Sequence, residues 1–214
     1  TVPLKGKHKG LLTDHCLDGI LELAAGKQAL ALGPGIGTHE GTRKLVLELV
    51  KKCTVPLVMD ADGLNCLAGD LSALKDKKAP VILTPHPGEM ARLCSKSTAE
   101  VQADRIGTAS GFAAAHNVIL VLKGARTVIS LPDGRTFINP TGNPGMASGG
   151  MGDVLTGLIA GFCAQGMPAE DAALAGVYIH GLCGDILAEK IGPFGYLAAD
   201  MVATIPEAIH RRLS

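Results

Sequence analysis

Four short apolar runs constrain this chain most: residues 28–32, 55–59, 80–83 and 117–122. Each is too short for a helix and stops at a loop rich in glycine, proline or charge. Those loops read Gly33-Pro34-Gly35-Ile36-Gly37, Asp60-Ala61-Asp62-Gly63, Thr84-Pro85-His86-Pro87-Gly88-Glu89 and Lys123-Gly124. Segments with helical spacing lie between them, at 39–52 (Leu45, Val46, Leu49 and Val50 on one side) and about 98–115. Continuous apolar strands belong to sheets covered on both faces. The expected fold class is therefore α/β, a three-layer sandwich with a mostly parallel central sheet flanked by helices. Ligands bind such sheets beyond the carboxyl ends of the strands, and all four loops fall there. Residues 127–131 and 135–138, joined by Pro132-Asp133-Gly134, predict a hairpin. Helices are predicted over 154–165, 168–190 and 197–213. There is no repeat, low-complexity segment or linker, so 1–214 reads as a single domain.

Composition narrows the partners. Hydrophobic residues make up 47% and aromatics only 3%, so the core must be aliphatic. Twenty basic and twenty acidic residues leave a formal net charge of zero. No basic patch argues for nucleic acid. No run of eighteen apolar residues argues for a membrane span, and no secretory leader is expected. Six scattered cysteines form no C-x-x-C pair, so reduced thiols in a cytoplasmic protein are expected and a metal site is not.

The strongest single signal runs from Asn143 to Asp153, ahead of an apolar helix. Six glycines fall between Gly142 and Gly157. Glycine in a helix costs roughly 1 kcal/mol against alanine, so propensity does not explain them. Gly149-Gly150-Met151-Gly152 stand where a helix leaves its first amides unpaired at the positive end of its dipole. Without side chains in the way, a phosphate can reach those amides. Lys123-Gly124-Ala125-Arg126-Thr127 brings two cations and a glycine to the same sheet edge, which also suits phosphate. The Gly33–Gly37 loop is neither a dinucleotide fingerprint nor a P-loop. It can be a tight turn or a place of close approach to a ligand. His86, held between two prolines, can be structural or touch a ligand, and Glu89 can cap the helix after it.

At these residues the chain resembles a known family. "GNPGMASGGMGDVLTG", "LTPHPGE", "DADGLN", "LGPGIG" and "KGART" are similar to the ADP/ATP-dependent NAD(P)H-hydrate dehydratases of the ribokinase-like superfamily. The resemblance runs from about Leu30 to near the C-terminus. It implies a nucleotide-driven repair of hydrated NADH and NADPH, through phosphorylation of the ring hydroxyl and elimination of phosphate, with Mg2+ bridging phosphates. It places Lys123, Gly124, Ala125, Arg126, Thr127, Asn143, Gly149 and Gly152 against the adenine nucleotide. It places Gly35, Gly37, His86 and Asp153 against the hydrate, with Asp153 as proton acceptor beside the Gly150 and Gly152 amides. The "KGART" form resembles bacterial members that prefer ADP over ATP. Family members begin with a further strand and helix, and many carry an N-terminal epimerase domain. Neither is found here, which implies the C-terminal part of a longer protein; a homo-oligomer is expected. Two rivals stand beside the dehydratase: a ribokinase-like kinase for a sugar or vitamin alcohol, and a nucleotide-binding fragment without catalysis.

Overall fold

The computed structural model describes residues 1–4 and 10–213. Six strands form one sheet in sequence order: β1 (Leu30–Leu32), β2 (Leu57–Met59), β3 (Val81–Leu83), β4 (Ile119–Leu122), β5 (Val128–Ser130) and β6 (Thr136–Ile138). β1 to β4 are parallel; β5 and β6 add antiparallel pairs, as the predicted hairpin requires.

Strand residues alternate between two cores, because successive side chains leave opposite faces. Leu57, Met59, Leu120 and Leu122 face one core; Val58, Ile82, Ile119 and Val121 face the other. The first core is closed by α1 (Leu17–Ala24), which precedes β1, and by the helices that cross between parallel strands. These are α2 (Glu40–Lys52), α3 (Asp62–Leu67), α4 (Pro87–Cys94), α5 (Thr98–Ala103) and α6 (Arg105–His116). The second is closed by α7 (Met151–Ala164) and α8 (Ala169–Ile191), with α9 (Ala198–Leu213) packed on their outer side. The three-layer α/β sandwich expected from the apolar runs is thus present.

Two details differ from the sequence expectation. The helix expected over 98–115 is two helices, broken at Asp104. That residue leaves helical geometry (φ −143°, ψ 79°) and its carboxylate accepts the Gly107 N–H at 2.8 Å. Asp is among the strongest N-cap residues, so a local cap outweighs continuous periodicity. The second detail is α8, which by length and composition is apolar enough to cross a membrane. With 56% of that apolar window buried, against α7 and α9, it is read as a core helix.

Candidate active site

The carboxyl ends of the parallel strands meet at Asp60. It follows β2 directly and is 2% exposed. Its Oδ1 lies 2.6 Å from Lys123 Nζ and accepts the Ala61 N–H at 2.9 Å. Its Oδ2 accepts the Thr156 hydroxyl of α7 at 3.1 Å. Glu89, also buried, approaches the same ammonium at 3.9 Å. Lys123 is therefore turned inward between two carboxylates. Sequence reasoning gave Asp60 no role, although a charged residue closing a fully apolar strand is a signal that could have found it. Ala61 adopts φ +48°, ψ −120°, outside the usual regions for a residue with a side chain. The next aspartate then points the other way: Asp62 Oδ2 accepts the Gly37 N–H at 2.9 Å.

His86 is the N-cap of α4. Its Nδ1 accepts the N–H groups of Gly88 (3.0 Å) and Glu89 (3.3 Å), while Glu89 Oε2 accepts the His86 N–H at 2.7 Å. This reciprocal cap is the one expected of Glu89. Because Nδ1 accepts, Nε2 carries the proton, on a ring still half exposed. The 123–127 loop is gripped from below by Arg105. Its guanidinium donates to the carbonyls of Leu122 (3.1 Å), Lys123 (3.3 Å) and Ala125. Arg126 donates to the Pro140 carbonyl at 2.7 Å, and Thr127 to the Gly124 carbonyl at 3.1 Å.

The glycine-rich stretch is anchored at its first half and open at its second. Asn143 Oδ1 accepts from the Gly145 N–H (3.0 Å) and the Tyr196 hydroxyl; its Nδ2 donates to Asp185 Oδ1 at 3.0 Å. Asp185 Oδ2 accepts the Gly142 N–H at 2.9 Å. Gly150 is the left-handed residue (φ +84°) from which α7 departs. The amides of Met151, Gly152 and Asp153 form the first turn, where a helix supplies no acceptor. His180 of α8 bonds the Met151 carbonyl at 3.0 Å. Burial, with the Lys123 charge nearby, outweighs that bond and pushes the imidazole down to about 4. His180 is thus neutral near pH 7 and donates through Nε2.

These elements enclose a cavity of about 810 Å³. His86, Lys123, Gly124, Ala125, Arg126, Thr127, Asn143, Gly149 and Gly152 all line it, as does His180, which sequence reasoning missed. Gly35, Gly37, Gly150 and Asp153 do not. Asp153 is exposed on the first turn of α7, and no other described side chain bonds its carboxylate. Successive helix residues diverge by about 100°, so Gly152 and Asp153 address different spaces. The cavity suits a phosphorylated ligand, and the Asp153 carboxylate faces solvent beside it.

The sequence profile of one family, described as NAD(P)H-hydrate dehydratase, matches residues 3–207. The chain belongs to the NAD(P)H-hydrate dehydratase family. It is similar to the bifunctional NAD(P)H-hydrate repair enzyme Nnr of Moorella thermoacetica, at 47% identity over 96% of this chain and 39% of that protein. It is also similar to the ADP-dependent (S)-NAD(P)H-hydrate dehydratase of Neisseria meningitidis, at 36% identity over 87% of this chain and 64% of that protein. Among solved structures it matches the ADP/ATP-dependent NAD(P)H-hydrate dehydratase of Bacillus subtilis, co-crystallized with ATP/Mg2+. The TM-score is 0.79 at 34% identity, over 91% of this chain and 70% of that one. The dehydratase-family fold seen here is ribokinase-like. This chain spans about two fifths of the length of the bifunctional relatives it matches.

Proposed function

We propose that this chain dehydrates hydrated NADH and NADPH back to the reduced dinucleotides, using ADP or ATP as phosphoryl donor. The observation that carries the reading is one cavity in which the open α7 start and the Lys123 ammonium meet. Family membership supplies the reaction class, and the ADP-dependent relative favours ADP.

In this reading the amides of the α7 first turn hold the transferred phosphate, aided by the helix dipole. The Lys123 ammonium, held by Asp60, lies beside them as a positioned donor. The ring hydroxyl oxygen bonds the terminal phosphorus as the bond to the leaving nucleotide breaks, and Asp153 takes the hydroxyl proton. The ring nitrogen lone pair then expels phosphate, and loss of a neighbouring ring proton restores the dihydronicotinamide. Phosphoryl transfer depends mainly on positioning and charge stabilisation, which a preformed cradle provides. Among the described residues no group of three or more His, Cys, Asp and Glu side chains converges to hold a metal. Asp60 and Glu89, the buried carboxylates beside the cavity, already face Lys123. Mg2+ fits as an ion carried by nucleotide phosphates and water, its usual form, and supplies charge neutralisation there. An N-terminal epimerase activity in the rest of a longer protein belongs to the same proposal, since the Moorella relative is bifunctional.

The test incubates the purified protein with hydrated NADH, Mg2+ and ADP or ATP. Recovery of the dihydronicotinamide absorbance with release of inorganic phosphate is expected. A stable phosphorylated product without absorbance recovery would favour a small-molecule kinase, and ADP binding without turnover a non-catalytic role.

A further inference from the structure

We propose that Asp60 is a positioning residue for phosphoryl transfer: it locks the Lys123 ammonium against the start of α7 before any phosphate arrives. This rests on the functional reading above.

The geometry converges on it from three directions. Asp60 bridges two elements distant in sequence, with Oδ1 on Lys123 after β4 and Oδ2 on the Thr156 hydroxyl of α7. Thr156 lies four residues beyond Gly152, on the same face of the helix. A Cβ on Gly152 would sit 3.1 Å from Asp60 Oδ2 and 3.3 Å from Lys123 Nζ. The ion pair therefore packs closely beside Gly152, where a side chain would crowd it by a few tenths of an ångström. The third direction is the backbone. Ala61 holds a strained conformation, and such strain costs on the order of 1–3 kcal/mol where the surroundings impose it. Its effect is local: the Ala61 N–H bonds Asp60 Oδ1, while Asp62 turns away to Gly37.

Stability alone is a poor reason for this arrangement. A buried ion pair often contributes little net stability relative to apolar residues of similar size. A lysine left to itself extends its ammonium into water on a flexible stem. Held at 2.6 Å by Asp60, with Glu89 at 3.9 Å, the charge instead has one place. A preset charge needs no reorganisation as the phosphoryl group moves, which is where electrostatic catalysis gains.

Charge counting separates positioning from mere structure. Asp60 and Glu89 against Lys123 leave one excess negative charge. Asp60→Asn removes it, so ADP should bind as well as before or more tightly. The freed ammonium should nevertheless lower kcat by about 100-fold, the scale of losing one preorganised donor. Asp60→Glu, which restores the charge on a longer arm, should recover part of that loss. Thr156→Val leaves the charge intact and loosens only one hydrogen bond, so kcat should fall by about 5-fold at unchanged ADP affinity. The experiment measures kcat and KM for the hydrate, ADP affinity by calorimetry, and Tm, for each purified variant. Reduced kcat at retained ADP affinity supports the assignment. Asp60→Asn turnover within about 3-fold of wild type, well short of that loss, overturns it. So does a parallel fall of kcat and ADP affinity. Should Asp60→Asn fail to fold, Thr156→Val decides by the same split. Wild-type protein that neither binds ADP nor turns over hydrate would overturn the functional reading; normal wild-type turnover with normal Asp60→Asn turnover overturns this inference alone.

Discussion

A Cβ placed on Gly33 would lie 1.8 Å from the Asp60 carbonyl oxygen; one placed on Gly149 would meet nothing within 4 Å. Both glycines belong to glycine-rich loops on the same side of the sheet, and in sequence either loop is a candidate for close approach to a ligand. The Gly33 loop is glycine-rich at its base because two strand ends are pressed together. Gly33 sits at φ +143° against the Asp60 backbone, and a Cβ on Gly63 would be 2.9 Å from the Leu32 carbonyl. The Gly149–Gly152 loop combines one conformational need at Gly150, close but not forbidding contacts at Gly152 and open space at Gly149. Glycine content therefore marks close approach without saying whether the approaching group is the protein's own backbone or a ligand.

Four measurements would break or sharpen that contrast. Gly33→Ala should destabilise the protein by about 3–4 kcal/mol in denaturant unfolding, near the top of single-substitution effects, since both clash and strain oppose it. ADP affinity of the folded protein should be unchanged. Unaltered stability would erase the difference between the loops.

Acid should destabilise the fold through His180. The unfolded chain takes up a proton near pH 6.5, whereas burial holds the native imidazole at about 4. The unfolded state thus binds more protons between those values, and stability falls as pH drops from 6.5 to 4. The slope reaches at most about 1.4 kcal/mol per pH unit. In His180→Gln, melting followed across that window should show a shallower slope; an identical slope would remove His180 as the cause.

Asp153→Asn should lower kcat by at least about 100-fold, the lower end of general-base effects. ADP affinity should be retained and Tm little altered. The helix dipole favours an acidic residue there by only about 0.3–1 kcal/mol, and a carboxylate beside bound phosphate is repelled. Near-normal turnover would leave Asp153 a helix-start residue and send the search for a base to His86.

Gly149→Val has the smallest expected effect. Its side chain would enter space the protein does not fill, so stability should stay within about 0.5 kcal/mol. ADP should bind about 10-fold more weakly, the equivalent of one disrupted charge-assisted hydrogen bond. Titration calorimetry of Gly149→Val at unchanged ADP affinity would move the phosphate away from this loop.

Much of the fold was legible because its signals are local. The apolar runs at 28–32, 55–59, 80–83 and 117–122 became the parallel strands, each starting one or two residues later and ending at the same residue. Pro132-Asp133-Gly134 set the hairpin, and the glycines before Val154 set the start of α7. Short helices were harder: α3 has six residues, too few for a periodic pattern to emerge. Among site residues, the 123–127 loop, Asn143, Gly149 and His86 were visible as unusual loop chemistry, and they share one cavity. His180 was not visible, because one histidine in a 23-residue apolar helix carries no local mark.

The sequence by itself determined the strand set, the sheet's mixed direction, the phosphate-suited start of α7 and the family. Each follows from residues close in the chain, where propensity, turn chemistry and motif spacing act. Only the tertiary structure decided that Lys123 points inward to Asp60, that Asp62 turns out to Gly37, and that Gly33 serves packing. Asp60 meets Lys123 across 63 residues and Thr156 across 96. The direction of a flexible side chain is set by whichever partner lies within a few ångströms, and at such separations only the folded chain brings that partner there.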